Sequence, residues 1–364
     1  MEKITMQDIA DALGISRVTV SKAFNNQSGV SESLRDTIFQ KARELGYAKV
    51  PYTALQKLEQ TQASAQQHTS PANTVSLIVS RPDSAVFWTS IIHRMAQELA
   101  CYNINLMYTY VPSAYTPDFS LPPILKAKNS MIAGCVILNV YDSTILSMVN
   151  ELSVPKVFLD TVPSLYRQQL NGDLLLIEGY RTEYDITESL VQSGHTRIGF
   201  LGDIYYAQTN LERYRGYCAC MQAHRLEIDA KYCLTGSIGI FSYGKELQDF
   251  LSSLDDWPTA FVCVSDFMAH FVKQYMDENP QYVPYPVELT GFDNSDEYTN
   301  VAGTITTANV PTSLLGKRLA LQLLFRTQHP DAPYELTFVR PTIVPVFPYR
   351  KFPDIRKKEI PKNR

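Results

Sequence analysis

Residues 4–47 read ITMQDIADALGISRVTVSKAFNNQSGVSESLRDTIFQKARELGY, and three short helices can be read in them, each with its own start signal. Thr5 stands three residues before Asp8, a capping-box-like pair, and Ile9, Ala10 and Leu13 follow on one helical face before Gly14 ends the turn. Ser16 is placed to cap the second helix, whose inward side is Val20, Ala23 and Phe24. Ser31 is placed to cap the third, where Leu34, Ile38, Ala42 and Leu45 recur every three or four residues until Gly46. The first two helices are joined by the short Leu-Gly-Ile-Ser turn, which is the spacing of a helix-turn-helix unit.

Beyond this head the composition changes. Lys57 to Asn73, KLEQTQASAQQHTSPAN, is polar, has little to bury and reads as a linker. Short apolar runs then alternate with amphipathic stretches. The runs are Val75 to Val79, Ile104 to Tyr110, Cys135 to Leu138, Lys156 to Leu159, Ile198 to Leu201, Ala260 to Val264 and Val287 to Phe292. Helical segments such as Ile91 to Tyr102, Tyr184 to Ser193 and Leu314 to Phe325 lie between them. Such alternation implies parallel sheets covered on both faces, in a body large enough for two lobes. Ligands of such folds sit beyond the strand C-termini, so the residues just after the runs matter most.

The chain has 364 residues, 45% of them hydrophobic and 19% charged, which supports a sizeable core and excludes a disordered or fibrous class. No apolar run approaches the roughly 20 residues of a membrane span. The opening MEKITMQDIADALG lacks a basic segment followed by an apolar block, so a cytoplasmic location is expected. Net charge is −4, with +1 over residues 1–60 and −5 over the remainder. That balance argues against nonspecific coating of nucleic acid or membrane and confines any DNA contact to a local surface. Six cysteines in so long a chain do not make a disulfide scaffold. Cys218 and Cys220, the one close pair, lack the second cluster that zinc needs. Reduced thiols are expected, with no metal and no cofactor.

Residues 4–47 closely resemble the DNA-binding head of the lactose-repressor (LacI/GalR) family of bacterial regulators. The resemblance rests on the opening helix, the G-x-S-x-x-T-V-S segment from Gly14 to Ser21, the G-V-S at Gly29 to Ser31 and the L-G-Y ending at Tyr47, all in register. It agrees with the residues themselves, because a helix starting after Ser16 turns Arg17, Val18 and Lys22 outward, where a major groove can be read. The resemblance places specificity contacts at those three positions, with Arg17 the best base contact. Lys22 replaces the usual arginine and so lacks its two-pronged grip on guanine. Thr5, Ser16, Thr19, Ser21, Asn25, Ser31 and Tyr47 are the remaining DNA contacts, and the hydroxyl and amide groups among them are assigned to phosphates, which set position rather than sequence. Capping and turn chemistry is the alternative role, and Ser16 and Ser31 can hold both. In the family a hinge helix follows and wedges leucines into the minor groove. Pro51 as helix start and Leu58 as wedge fit if two extra residues are allowed, and otherwise Leu55 and Leu58 pack against each other in a linker.

The body, Val75 to about Val346, is similar to the same family's effector domain, which resembles periplasmic sugar-binding proteins. The resembling pieces include VFLDTV, ERYRGY, TAFVCVSD and LTGFDN. By position they assign Asp160, Arg213 and Asp293 to ligand. Ser265 stands where an asparagine often contacts ligand and Ile238 where an aromatic is frequent. Arg213 and Asp293 suit paired hydroxyls, while Phe87 or Trp88 could support a sugar face or be core. Asp266 is expected to cap the helix that follows, and His195 to be turn structure rather than a catalytic base. The implied architecture is an all-α helix-turn-helix head (1–50), a hinge and linker (51–74), a two-lobed α/β periplasmic-binding-protein-like body that dimerises (75–346) and a basic tail (347–364).

The function implied is a sequence-specific, homodimeric transcriptional regulator, expected to repress, controlled by a carbohydrate-like effector. Control by a protein corepressor or a phosphorylated metabolite is the alternative. A transport-type solute-binding protein is a further one, disfavoured by the DNA-reading head. Enzyme readings lack motifs: Gly236 to Gly244 has glycines, but Gly244 and Lys245 are followed by Glu246 where a phosphate loop needs Ser or Thr, and no nucleophile elbow is present. The tail has no leucine heptads of a tetramerising coiled coil.

Overall fold

The computed structural model describes residues 4–25, 27–45, 47, 73–81, 86–127, 131–166 and 170–346. The chain divides into two units, Met1–Pro71 and Ala72–Arg364. The expected hinge with Pro51, Leu55 and Leu58, the linker up to residue 72 and the tail from residue 347 lie outside the described residues.

The described residues of the first unit form three helices, α1 (Met6–Leu13), α2 (Arg17–Phe24) and α3 (Glu32–Glu44). Each begins where its cap dictates. Thr5 Oγ1 accepts from the Asp8 amide and Asp8 Oδ2 accepts from the Thr5 amide at 2.7 Å, closing the capping box. Ser16 Oγ accepts from the Thr19 amide at 3.1 Å, and Ser31 Oγ from the Leu34 amide at 3.3 Å. Gly14 ends α1 at φ 64°, a left-handed conformation that glycine adopts without strain. Ile9, Ala10, Val20, Ala23, Ile38 and Ala42 form the buried centre. Phe24 meets Phe39 and Tyr47 edge-on, at 5.1 and 5.4 Å between ring centres.

In the second unit, β1 (Thr74–Val79), β2 (Asn105–Tyr110), β3 (Ile132–Leu138), β4 (Lys156–Leu159), β5 (Asp173–Ile177) and β11 (Leu336–Val339) make one parallel sheet, ordered β11-β5-β4-β3-β1-β2. A second parallel sheet joins β6 (Ile198–Leu201), β7 (Cys233–Leu234), β8 (Ala260–Cys263) and β9 (Glu288–Thr290) in the order β7-β6-β8-β9. β10 (Thr307–Asn309) pairs antiparallel with β12 (Thr342–Val344). Each named apolar run coincides with a strand to within three residues at either end, whereas β5, β7, β10, β11 and β12 fall outside those runs.

Both faces of the first sheet are covered, so neighbouring residues of one strand enter different cores. Leu77 packs with α4 (Val86–Ala100) and α11 (Thr312–Gln328), whereas Ile78 packs with α5 (Ser143–Asn150). Double coverage is why these strands read as continuous apolar runs. In the second lobe Phe200 and Val262 pack with Tyr217 and Met221 of α8 (Gln208–Ala223) and with Met268 and Val272 of α10 (Asp266–Glu278). The chain leaves the first lobe after β5, enters α7 (Tyr180–Gln192), and returns through β10 and α11 to β11. That return is locked by a buried pair: Arg326 of α11 grips both oxygens of Asp173 at 3.1 and 2.7 Å, and its remaining donors reach three backbone carbonyls. Every prong of the guanidinium is satisfied, which is what makes a dry ion pair tolerable.

α7 and α8 approach closely at Gly216, where an added Cβ would lie 2.1 Å from the Tyr180 carbonyl oxygen. Gly216→Ala must therefore push the helices apart, and a loss of about 1–3 kcal/mol in unfolding free energy is expected by urea titration.

Candidate functional site

A cavity of about 280 Å³ opens between the lobes of the second unit, ringed by residues that follow strand C-termini. From the first lobe come Arg81 after β1, Asn139 and Tyr141 after β3, and Asp160 after β4. From the second come Tyr206 after β6, Ser265 after β8 and Asp293 after β9, with Thr209 and Arg213 on the first turns of α8. All parallel strands point the same backbone ends at this crevice, so the topology alone assembles the wall.

Three of these strand-end residues are not glycine yet hold positive φ: Asn139 at 51°, Asp160 at 67° and Asp293 at 108°. Each such conformation carries a backbone cost of order 1–3 kcal/mol, sustained by the surrounding structure and concentrated where side chains must be aimed. Asp160 shows the aiming. Its Oδ1 accepts from the Thr161 amide at 2.8 Å and the Thr209 amide at 3.3 Å, and its Oδ2 accepts from the Thr209 hydroxyl. Thr209 belongs to the other lobe, so Asp160 spans the crevice. Two further bonds do the same: Arg81 donates to the Tyr206 hydroxyl at 3.1 Å, and the Gln208 amide to the Thr161 carbonyl at 2.7 Å. The Tyr141 and Tyr206 rings meet at 4.4 Å between centres.

Arg213 is the electrostatic centre. It is buried, donates from Nη1 to the Val264 carbonyl, and its guanidinium lies 3.6 Å from the centre of the Phe292 ring. Its charge acts on four carboxyl groups, Asp160, Glu183, Asp266 and Asp293. In each, burial raises the pKa and Arg213 pulls it back only in part, so Asp293 stands at about 7 and Glu183 at about 8. One guanidinium cannot offset four desolvated anions. Part of this set therefore keeps its protons near neutrality, and through Asp293 the wall offers a carboxyl O–H donor beside acceptors. Neither oxygen of Glu183 finds a hydrogen-bond partner among the described residues.

Each sequence-assigned effector residue, Phe87, Trp88, Asp160, Arg213, Ser265 and Asp293, lines this one cavity, as does Ile238. Phe87 and Trp88 are half-buried and packed edge-on at 5.0 Å between ring centres, and both also lean on the first-lobe core. The helix after β8 corrects one expectation. Its cap is Ser265, whose Oγ accepts from the Met268 amide at 3.2 Å. Asp266 instead sits inside the helix and bonds outward, accepting from the Ser295 amide and the Thr307 hydroxyl, both at 2.7 Å, so that it braces the returning strand. His195 is buried between Thr259 at 2.9 Å and Glu288 at 3.0 Å, away from the cavity lining. Sequence reasoning passed over five further aromatics in the lining, Tyr141, Tyr206, Tyr243, Phe267 and Tyr298. For Tyr141 and Tyr206 the usable signal was position just past a strand.

In the first unit, one side of α2 is core and the other is open. Val18 is 63% exposed and Arg17 is exposed, Thr19, Ser21 and Lys22 are half-buried, and Val20 and Ala23 are closed off. Thr5, Ser16, Asn25 and Ser31 are exposed or half-buried around it, with the Ser16 and Thr19 hydroxyls 2.8 Å apart and the Asn25 amide on Ser21 Oγ at 3.3 Å. Tyr47 is half-buried against Phe24. Leu58 lies outside the described residues.

The described residues contain no helix long and apolar enough to cross a membrane. Residues 5–49 match the model of bacterial regulatory proteins of the lacI family, and residues 187–345 match the periplasmic binding protein-like domain. The chain is 25% identical over 343 residues to the HTH-type transcriptional repressor PurR of Mannheimia succiniciproducens, covering 93% of this chain and 97% of that protein. Among solved structures it is similar to a CelR–cellobiose complex, at a TM-score of 0.61 and 20% identity, and to the lac repressor dimer bound to operator and the anti-inducer ONPF, at 0.57 and 18%. Both likenesses cover 94% of this chain and 98% of the other.

Proposed function

Since the chain belongs to the lacI family of bacterial regulatory proteins, we propose that it is a cytoplasmic homodimer that binds a near-palindromic operator and is controlled by a carbohydrate-like molecule held in the cavity. It is a DNA-binding transcriptional regulator with a small-molecule effector, related to repressors and regulators rather than to enzymes. The observation that carries the DNA half is the open face of α2. A valine left 63% exposed beside Arg17 on a helix whose other side is core suits contact with thymine methyls and guanine edges. Arg17, Val18 and Lys22 read bases in this proposal. Thr5, Ser16, Thr19, Ser21, Asn25, Ser31 and Tyr47 hold the backbone, and Leu58 is the minor-groove wedge.

The cavity supports a polyhydroxylated ligand. Seven aromatic rings offer stacking faces, while Arg213, Asp160 and Asp293 offer charged partners for hydroxyl pairs. A phosphorylated effector fits less well, because among the described residues the lining sets Asp160, Asp203 and Asp293 against two cations, Arg81 and Arg213. Ligand and operator affinities are then linked reciprocally through the dimer.

The test is selection of genomic fragments by the full chain, with and without a panel of sugars, sugar phosphates and candidate protein partners. Enrichment of a near-palindrome whose retention changes with a neutral sugar supports the proposal, and a thermal shift with that sugar follows by mass action. No duplex preference under any condition refutes it. Arg17→Ala is expected to lower discrimination against base changes in the half-site about 10–100-fold while leaving salt-sensitive binding. Competition gel shifts report it, and an unchanged operator preference removes Arg17 from readout.

A further inference from the structure

Along α7 and α8, past the residues that face the cavity, three side chains with different ligand chemistry converge: Glu188 from α7, Cys220 from α8, and His224 at the residue that ends α8. One ligand atom from each lies within 4.8 Å of the other two, the one such group among the described residues. Cys220 and His224 are four apart, so they leave the same face of the helix. The close approach of α7 and α8 at Gly216 brings Glu188 up to that face.

Glu188 Oε2 is the meeting point, 2.7 Å from His224 Nε2 and 3.7 Å from Cys220 Sγ. Tetrahedral zinc, with bonds of about 2.3 Å to sulfur and about 2.1 Å to oxygen and nitrogen, puts its sulfur and oxygen ligands about 3.6 Å apart and its nitrogen and oxygen ligands about 3.4 Å apart. The sulfur-to-oxygen edge already has that length. The imidazole has to withdraw by about 0.7 Å to make the other edge, and His224 can do so because it is exposed and ends its helix. The carboxylate is already held from behind, since Gln192 Nε2 donates to Glu188 Oε1 at 3.1 Å. An outer partner of this kind orients a metal ligand.

We propose that Glu188, Cys220 and His224 form a Zn²⁺ site whose fourth ligand is water. One thiolate, one imidazole and one carboxylate suit zinc rather than calcium or magnesium, which prefer oxygen donors only. Binding converts the Cys220 thiol to thiolate and releases its proton to solvent, while His224 binds neutral through Nε2. The ion pins α7 to α8, the two helices that carry Glu183 and Arg213. This differs from the expectation that the thiols are purely structural: the sequence shows only Cys218 and Cys220 close together, and the ligand from α7 is 32 residues from Cys220.

The test uses the full chain stripped with a chelator and titrated with Co²⁺ as a spectroscopic stand-in, then with Zn²⁺ in competition. Expected are a thiolate-to-cobalt charge-transfer band saturating at one equivalent, its loss on adding Zn²⁺, and a zinc-dependent rise in melting temperature. His224→Gln, at an exposed position, is expected to weaken Zn²⁺ at least about 100-fold, beyond the roughly 10–100-fold effect of losing an outer partner. Cys220→Ser is expected to abolish the charge-transfer band, whereas Cys101→Ser, at an exposed cysteine, leaves it unchanged. Absence of a band in the wild type overturns the proposal. So does a band with unchanged affinity in His224→Gln or Cys220→Ser, which would place the metal on other thiols.

Discussion

Arg213→Ala is expected to weaken effector binding at least about 100-fold while operator binding without effector stays within a few-fold of wild type. Truncating one partner of a buried, hydrogen-bonded charge pair costs about 2–5 kcal/mol, because the groups left behind are stranded. Arg213 is buried, fixed by the Val264 carbonyl and laid on Phe292. It is also the positive charge that partly offsets burial at Asp160, Glu183, Asp266 and Asp293. Without it these carboxyls hold their protons to still higher pH. The fork and the anions that would recognise a pair of hydroxyls disappear together. Arg213→Lys retains the charge but not the fork and is expected to fall between the two, with a loss of about 10-fold. Isothermal titration with the selected effector and gel shifts with its operator separate the two affinities. A wild-type response in Arg213→Ala removes this residue from the effector site, and lost operator binding in an unfolded protein is distinguished by its melting curve.

The head was almost fully legible because its information is local. Thr5 with Asp8, Ser16 with Thr19, and Ser31 with Leu34 are pairs within three residues, and the bonds formed are those the spacing foretold. The strands that carry the cavity wall, β1, β3, β4, β6, β8 and β9, were legible for another reason, since burial on both faces writes an apolar run. What the sequence hid is long-range or conformational. Asp173 and Arg326 lie 153 residues apart, and nothing near either announces the other. The left-handed geometry of Asn139, Asp160 and Asp293 is imposed by the wall they stand in, not by their identity alone. The Asp266 cap was misread because serine and aspartate are both good caps one residue apart; the helix starts one residue earlier than that expectation required, and the freed carboxylate reaches Thr307.

Glu183→Gln is expected to stabilise the protein by roughly 5 kcal/mol at pH 9 and to leave stability almost unchanged at pH 4. The side chain is fully buried on α7, and burial raises its pKa from the ordinary 4.5 to about 8, against a partial opposing pull from Arg213. The folded protein thus binds the proton more tightly than the unfolded chain. Below about pH 4.5 both states are protonated and the residue contributes no pH dependence. As pH rises from there towards 8 only the unfolded chain releases its proton, so stability falls continuously. Above 8 the folded state ionises as well and the loss levels off. Glutamine keeps the shape and removes the titration, so the difference between variant and wild type opens across that window. Asp293, at about 7, lies in the cavity wall and titrates within the same range, so the wild-type slope has more than one contributor and Glu183→Gln should remove its own share. Urea unfolding at half-unit steps from pH 4 to 9 measures this directly. A variant curve parallel to wild type would mean that Glu183 is ionised throughout, and that the interior beside Arg213 tolerates its charge.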